Sequence, residues 1–393
     1  MVYAPADRNF YDADSHIMEL PDFLKKYADP AIRDQVPEVS YSASLVTDQE
    51  VAVIMQQGGR HSDEHLAELL AMGDQLIEKS KEIQALGAFD GGHRTTALDM
   101  LGFKKQLVFA THSVAMPFNP SSKLEPKLRY GGARAHNRHM VDFCKGDSRL
   151  MGVGIVPLDD ADHAVAELEW CLAAGLKAIW VPHRYCGDRS PTHIDLEPFW
   201  ARLAESGVPF VLHVGGSPLQ LAKPWANTGR PATRDWMGGG ENIRTRDAAV
   251  MHQGPETFLS IMVIDGLFER FPNLRGAAVE LGAGWVPSML TRLDWVAKHW
   301  SRVDENLARF TRTPSQQLRS QMAFTPFVFE DIGELITQSH DDLYLFSSDY
   351  PHVEGGRNPI ARFEASLGAR PPQVRDRFYA DNFLRIFPDA RVA

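Results

Sequence analysis

The sequence predicts an α/β fold, a (β/α)8 barrel formed by a single domain spanning residues 1–393. Three observations predict it. Short apolar runs alternate with helical patterns, and that alternation builds right-handed βαβ units with parallel strands. There are eight such runs, the number a closed barrel needs. A doubly wound sheet is the alternative, but no G-x-G-x-x-G follows the first run and no G-x-x-x-x-G-K-[ST] occurs anywhere.

The elements follow in order. Asn9 to Asp14 reads as the first strand, Gln106 to Ala110 (QLVFA) as the second and Leu150 to Pro157 (LMGVGIVP) as the third. A helix from about Asp160 to Ala174 ends at Gly175, where a glycine releases the chain from the helix. Lys177 to Val181 (KAIWV) is the fourth strand. Glu197 to Ser206 is a helix stopped by Gly207, and Val208 to His213 (VPFVLH) is the fifth strand. A helix ending near Phe271-Pro272 leads into the sixth, Leu274 to Glu280. Ser320 to Phe324 is a weaker seventh and Asp342 to Ser347 (DLYLFS) an eighth. A closing helix runs from about Pro371 to Phe387.

Two segments exceed plain connections. Residues 20–103 after strand one include Ser62 to Leu86, which reads as one helix with an Ala/Leu/Ile stripe. Residues 215–255 after strand five are rich in Gly, Trp and Arg. Both follow strand ends, on the face where barrel active sites form, so both are expected to be lids or substrate walls.

Composition narrows the function. A net charge of −10 disfavours nucleic acid and anionic membrane as partners. Three cysteines exclude a disulfide scaffold and fit a reducing compartment. Met1 to Phe10 lacks a secretory pattern and no apolar run is long enough to span a bilayer, so a cytoplasmic setting is expected. Fifteen histidines point to metal binding or proton transfer.

Asp12-Ala-Asp14-Ser-His16-Ile-Met-Glu19 ends the first strand. Side chains two apart on a strand point the same way, so Asp14 and His16 can reach one point above the barrel mouth. A carboxylate and an imidazole suit Zn²⁺, Mn²⁺ or Fe²⁺. Read alone, the segment could merely cap a strand. His213 ends strand five and Asp349 follows strand eight in Ser348-Asp349-Tyr350-Pro351-His352. A barrel brings all four residues to one side of its mouth.

The sequence here resembles a family, the amidohydrolase-2, or aminocarboxymuconate-semialdehyde-decarboxylase-like, branch of the amidohydrolase superfamily. The resemblance rests on the first-strand motif with Glu19, Gly207-Val-Pro-Phe-Val-Leu-His213, Gly266-Leu-Phe-Glu-Arg-Phe-Pro272, Glu280-Leu-Gly-Ala-Gly-Trp285 with Arg292-Leu-Asp294, Ser348 to His352, and Asp381-Asn382-Phe383, in the family's order. It implies a barrel of the metal-dependent hydrolase type. It also implies Asp14, His16, His213 and Asp349 as ligands of one divalent ion, Zn²⁺ ahead of Mn²⁺ or Fe²⁺, with a second ion as an alternative. A small-molecule substrate and a homodimer are further implications.

One departure stands out. Known decarboxylases of the family end strand six in histidine; here the residue is Glu280. Decarboxylation needs an acid to protonate carbon, whereas hydrolysis needs a metal-activated water and a base. The departure leads to the expectation of a metal-dependent hydrolase of a small carboxylate, ester, amide or thioester. Asp349 would be its base, and Glu280 and His183 its further catalytic residues. A metal-dependent decarboxylase of an aromatic or dienoic acid is the alternative, and a non-catalytic binding barrel the alternative of another class. Arg184, His252, Trp285 and His352 are candidates for substrate contact. Surface or core packing is the plainer reading of each. Ser-His-Asp chemistry lacks a G-x-S-x-G elbow.

Overall fold

The protein is described here as a computed structural model. It describes residues 2–41, 46–121, 123–217, 221, 223–231, 234–236 and 243–391. The remaining positions, part of the 215–255 stretch among them, lie outside the described residues.

Seven parallel strands pair in chain order: β1 (Tyr11–Asp12), β2 (Lys105–Val108), β3 (Leu150–Ile155), β4 (Ala178–Trp180), β5 (Phe210–His213), β6 (Gly276–Val279) and β7 (Met322–Phe324). Each falls within a predicted run, or overlaps it in the case of β2. Buried parallel strands are covered on both faces, so they read as near-continuous apolar stretches.

The eighth strand is the exception. Residues 342–347 form no ladder. A single bridge joins Tyr344 to Phe324 of β7, and another joins Tyr350 to Ser15 beyond β1. Backbone bonds close the gap: Leu345 N–H donates to Phe324 O at 2.9 Å and Ala13 N–H to Phe346 O at 3.0 Å. The barrel is therefore closed by a segment that touches each neighbour at only a few points.

Alternation along the strands separates two cores. Leu107, Met151, Val153, Ala178, Val211, Ala277, Val279 and Ala323 fill the barrel interior. Val108, Ile179, Phe210, Leu212 and Ala278 face the helical layer. That layer includes helices Ala161–Ala173, N-capped by Asp160, and Glu197–Ser206, ended by Gly207 in the left-handed conformation (φ 70°). On β3 a Cβ at Gly152 would lie 2.9 Å from Met140, so glycine lets helix Pro126–Cys144 pack directly on the strand.

The predicted helix over 62–86 is broken. Asp63–Ala71 and Leu76–Lys79 are helical, with a tight turn at Gly73–Gln75 and an extended Ser80 between the second helix and another tight turn at Glu82–Gln84. Gly73 takes a left-handed φ of 57°, which ends the stripe's regular period. The closing helix runs as Pro372–Asp376, a wider π turn over Arg377–Asp381, then Asn382–Ile386. No described helix is long and apolar enough to cross a membrane.

Candidate active site

β5 places Val211 and His213 on the same face, so His213 follows the barrel interior up to its C-terminal rim. Asp14 and His16 emerge from the end of β1, and Glu280 directly follows β6. One donor atom from each of Asp14, His16, His213 and Glu280 lies within 4.8 Å of every other, and all four residues are buried. His16 Nε2 is 3.2 Å from Asp14 Oδ1 and 3.9 Å from Glu280 Oε2. His213 Nε2 is 3.3 Å from Asp14 Oδ1 and 3.4 Å from Glu280 Oε2.

Neighbouring carbonyls fix the tautomers of both rings. His16 Nδ1 lies 2.9 Å from Ala110 O, and His213 Nδ1 lies 2.9 Å from Val214 O. A carbonyl only accepts, so each Nδ1 carries the hydrogen and each Nε2 turns its lone pair towards the carboxylates. Two lone pairs and two carboxylates facing one another in a buried space repel unless a cation or proton lies among them. The donor set thus fits a divalent ion. With a proton on each Nε2 in place of an ion, the His213 and His16 rings would hold the Asp14 carboxyl well below the usual carboxylate range, against the upward push of burial.

Asp349 belongs to a second cluster, with His16 and His352. Its Oδ1 is 3.6 Å from His16 Nε2 and 3.1 Å from His352 Nδ1. His352 Nε2 lies 2.9 Å from the Thr111 hydroxyl, whose hydrogen goes to Ile17 O at 2.7 Å. Glu280 and Asp349 also share a backbone feature. With Glu82 they are the only non-glycine residues of positive φ among those described, at 51°, 54° and 54° respectively. A left-handed residue with a side chain is strained by roughly 1 kcal/mol or more, and two of the three sit in the site.

A hydrogen-bonded frame lies behind the ligands. Buried Asp12 accepts from Ser348 N–H (2.8 Å), the Ser348 hydroxyl (2.6 Å) and Gln106 Nε2 (2.8 Å), tying β1 to β2 and to the Asp349 loop. Burial pushes the Asp12 carboxyl up to about 7 against these bonds. Glu19 accepts the N–H groups of Thr111, His112 and Ser113 at 3.0–3.3 Å. Buried Arg94 donates to Gly87 O, Gln106 Oε1 and His16 O. Arg94 and the roles of Asp12 and Glu19 had no local signal in the sequence, because their partners lie far along the chain.

The remaining predicted residues spread over two cavities. One, of about 510 Å³, is lined by His183, Arg184, Ser217, Met251 and Phe258. Burial, with His213 and Arg184 nearby, pushes the His183 imidazole down to about 3. Arg184 reaches this cavity with its guanidinium paired to Asp159 at 3.0 Å. The other, of about 740 Å³, is lined by Trp236, Arg244, Met251, His252, Trp285 and Phe327. The Trp285 indole N–H is spent on Gly282 O at 2.8 Å, so only its ring faces are available. His352 lies with His16 and Asp349, while His252 and Trp285 line the second cavity, which Leu281, next to Glu280, also lines.

The family model described as Amidohydrolase matches residues 86–388. A gamma-resorcylate decarboxylase of Rhodococcus jostii (strain RHA1) is 29% identical over 240 residues, covering 56% of this chain and 66% of that protein, just under two thirds of its length. An amidohydrolase from Mycobacterium avium subsp. paratuberculosis K-10 superposes with a TM-score of 0.71 at 20% identity, over 98% of this chain and 100% of that one. A 5-carboxyvanillate decarboxylase from Novosphingobium aromaticivorans, in a mutant form with bound manganese and 3-methoxy-4-hydroxy-5-nitrobenzoic acid, gives 0.64 at 17% identity, over 99% and 100%.

These matches correct the expectation of a hydrolase, since the curated relative is a decarboxylase. The step that misled was reading Glu280 as a sign of hydrolysis: its carboxylate lies with Asp14, His16 and His213 in a group that could hold a metal ion, a position that does not select hydrolysis over decarboxylation. Zinc gains no particular support, because the solved decarboxylase holds manganese. The family match over most of the sequence places this chain in the amidohydrolase family, as an enzyme of that superfamily.

Proposed function

We propose that the protein is a metal-dependent, non-oxidative decarboxylase of a small aromatic acid, working as a single barrel whose 20–103 and 215–255 stretches wall the site. The observation that carries this reading is the 3.1 Å approach of Asp349 Oδ1 to His352 Nδ1 beside the Asp14–His16–His213–Glu280 cluster. If the Thr111 hydroxyl donates to Ile17 O, then His352 Nε2–H donates to Thr111, and its Nδ1 faces Asp349 as an acceptor. In the other tautomer Nδ1 itself carries the hydrogen. A proton held between the carboxylate and the ring in either arrangement would sit next to the cluster of Asp14, His16, His213 and Glu280. An acid so placed suits protonation of carbon.

Asp14, His16, His213 and Glu280 would hold the ion, which supplies positive charge to anchor an acid substrate and polarise it. Asp349 then donates its proton to the ring carbon bearing the carboxylate. The bond from that carbon to the carboxylate breaks, its electron pair returns to the ring, and CO₂ leaves. The Asp349 carboxylate regains a proton from solvent, relayed through His352, which Thr111 holds in place. His183 and Arg184 on one side, and His252 and Trp285 on the other, are proposed to contact the rest of the substrate.

The test is CO₂ release by the manganese-loaded protein from a panel of hydroxybenzoic acids in D₂O. One deuterium should appear on the former carboxylate carbon of the product. Full metal occupancy with no CO₂ from any member would overturn the reading.

A further inference from the structure

The loops that carry His16 and Asp349 bond each other, His16 N–H to Tyr350 O at 2.8 Å and Asp349 N–H to Asp14 O at 2.9 Å, and a third segment braces them from outside. Residues from the stretch between β1 and β2 hold both. On the Asp349 side, Lys81 Nζ donates to His352 O at 3.1 Å and to Gly356 O at 2.8 Å. Glu82 N–H donates to Pro351 O at 2.9 Å, and Glu82 Oε1 accepts Val353 N–H at 3.0 Å. The left-handed φ of Glu82 lets one residue do both. Tyr350 donates its hydroxyl hydrogen to Leu86 O at 2.9 Å.

On the His16 side, Met18 N–H donates to Ala88 O at 2.7 Å. Arg94 bonds His16 O and lies over the Tyr350 ring, 5.2 Å from its centroid, so it touches both loops. The Asp349 loop itself is folded tightly: a Cβ at Gly355 would fall 2.1 Å from Ser348 O. The backbone groups of residues 351–356 that Lys81 and Glu82 bond lie some 270 residues away in sequence.

We propose that Lys81–Arg94 is a positioning strap that braces the joined His16 and Asp349 loops from outside and so holds the Asp349 loop in register with the metal-binding side. It is not a lid. Lys81 and Glu82 act through the backbone of residues 351–356, and Arg94 through the backbone at His16. The inference rests on the decarboxylase reading only for what Asp349 does.

The test compares Lys81→Met, Lys81→Arg and, as a nearby exposed control, Lys79→Met in the full manganese-loaded chain. Hydrogen exchange is read on the peptide 347–358, and CO₂ release is followed in parallel. Lys81→Met should speed exchange of that peptide at least tenfold while β2–β6 stay unchanged. It should lower kcat at least tenfold with KM and bound manganese unchanged, and Lys81→Arg should recover most of both. Unchanged exchange in Lys81→Met, faster exchange throughout the barrel, or an equal effect of Lys79→Met overturns the strap. If Lys81→Met does not fold, Tyr350→Phe removes a single strap bond, and unchanged exchange there overturns it equally. Absence of CO₂ release from the wild type would defeat the decarboxylase reading alone, because exchange still decides the strap.

Discussion

The two halves of the barrel mouth are built differently. On the side of β1 and the 343–352 segment, the buried polar groups behind the cluster are tied to partners: Asp12 with Ser348 and Gln106, Glu19 with three backbone N–H groups, Arg94 with three acceptors. Around β4 the opposite holds. Among the described residues, His183 Nδ1 and Trp180 Nε1 are buried without a hydrogen-bond partner, and a cavity of about 510 Å³ adjoins His183. Buried polar atoms without partners are costly, and a native fold keeps few of them. The first half fixes distances for chemistry. The second leaves polar atoms to be satisfied by what binds.

That contrast can be broken in several ways. The largest effect is expected from chelation, which should abolish CO₂ release, with manganese restoring it. At a free ion level of 100 times Kd, the ion should also add about 2.7 kcal/mol to folding stability, read as a rise in Tm. Activity in a protein proven metal-free would defeat the metal centre. Next, Asp349→Asn should lower kcat by roughly 10²–10⁴-fold, the usual worth of a positioned acid, while bound manganese measured by elemental analysis stays the same. On the open half, His183→Phe should act mainly on KM, raising it roughly tenfold for loss of about 1.4 kcal/mol of substrate hydrogen bonding, with kcat little changed. A fall in kcat with constant KM would move His183 into the chemistry.

The smallest effect concerns His136, packed behind the fixed half. Burial pushes its imidazole down to about 4, so the folded state resists the proton that the unfolded chain accepts near 6.5. Its contribution to stability is complete above pH 6.5 and is lost as pH falls towards 4. His136→Gln should flatten urea-unfolding stability across that window by up to about 1.4 kcal/mol per pH unit. An identical slope in the variant would place the titration elsewhere.

The two halves also differ in how far they could be read from sequence. Strand ends announced Asp14, His16, His213 and Asp349, because an apolar run that stops at a polar residue marks both the strand and its rim. The eighth strand was misleading for the same reason: DLYLFS has the pattern, but the ladder depends on how β7 and β1 align beside it, and only single bridges form. Lys81 and Arg94 were illegible, since nothing near them in sequence shows that their partners are the carbonyls of His352 and His16. Glu280 was visible, but a residue type does not reveal whether a carboxylate binds metal or moves protons.

The left-handed backbone at Glu280 and Asp349 has an evolutionary consequence. Glycine would relieve roughly 1 kcal/mol of strain at each position and remove a buried negative charge as well. Selection for heat tolerance alone would therefore favour discarding the very side chains on which turnover depends. A directed-evolution campaign on this enzyme needs an activity screen at every round, or it will enrich for sturdier proteins that no longer react.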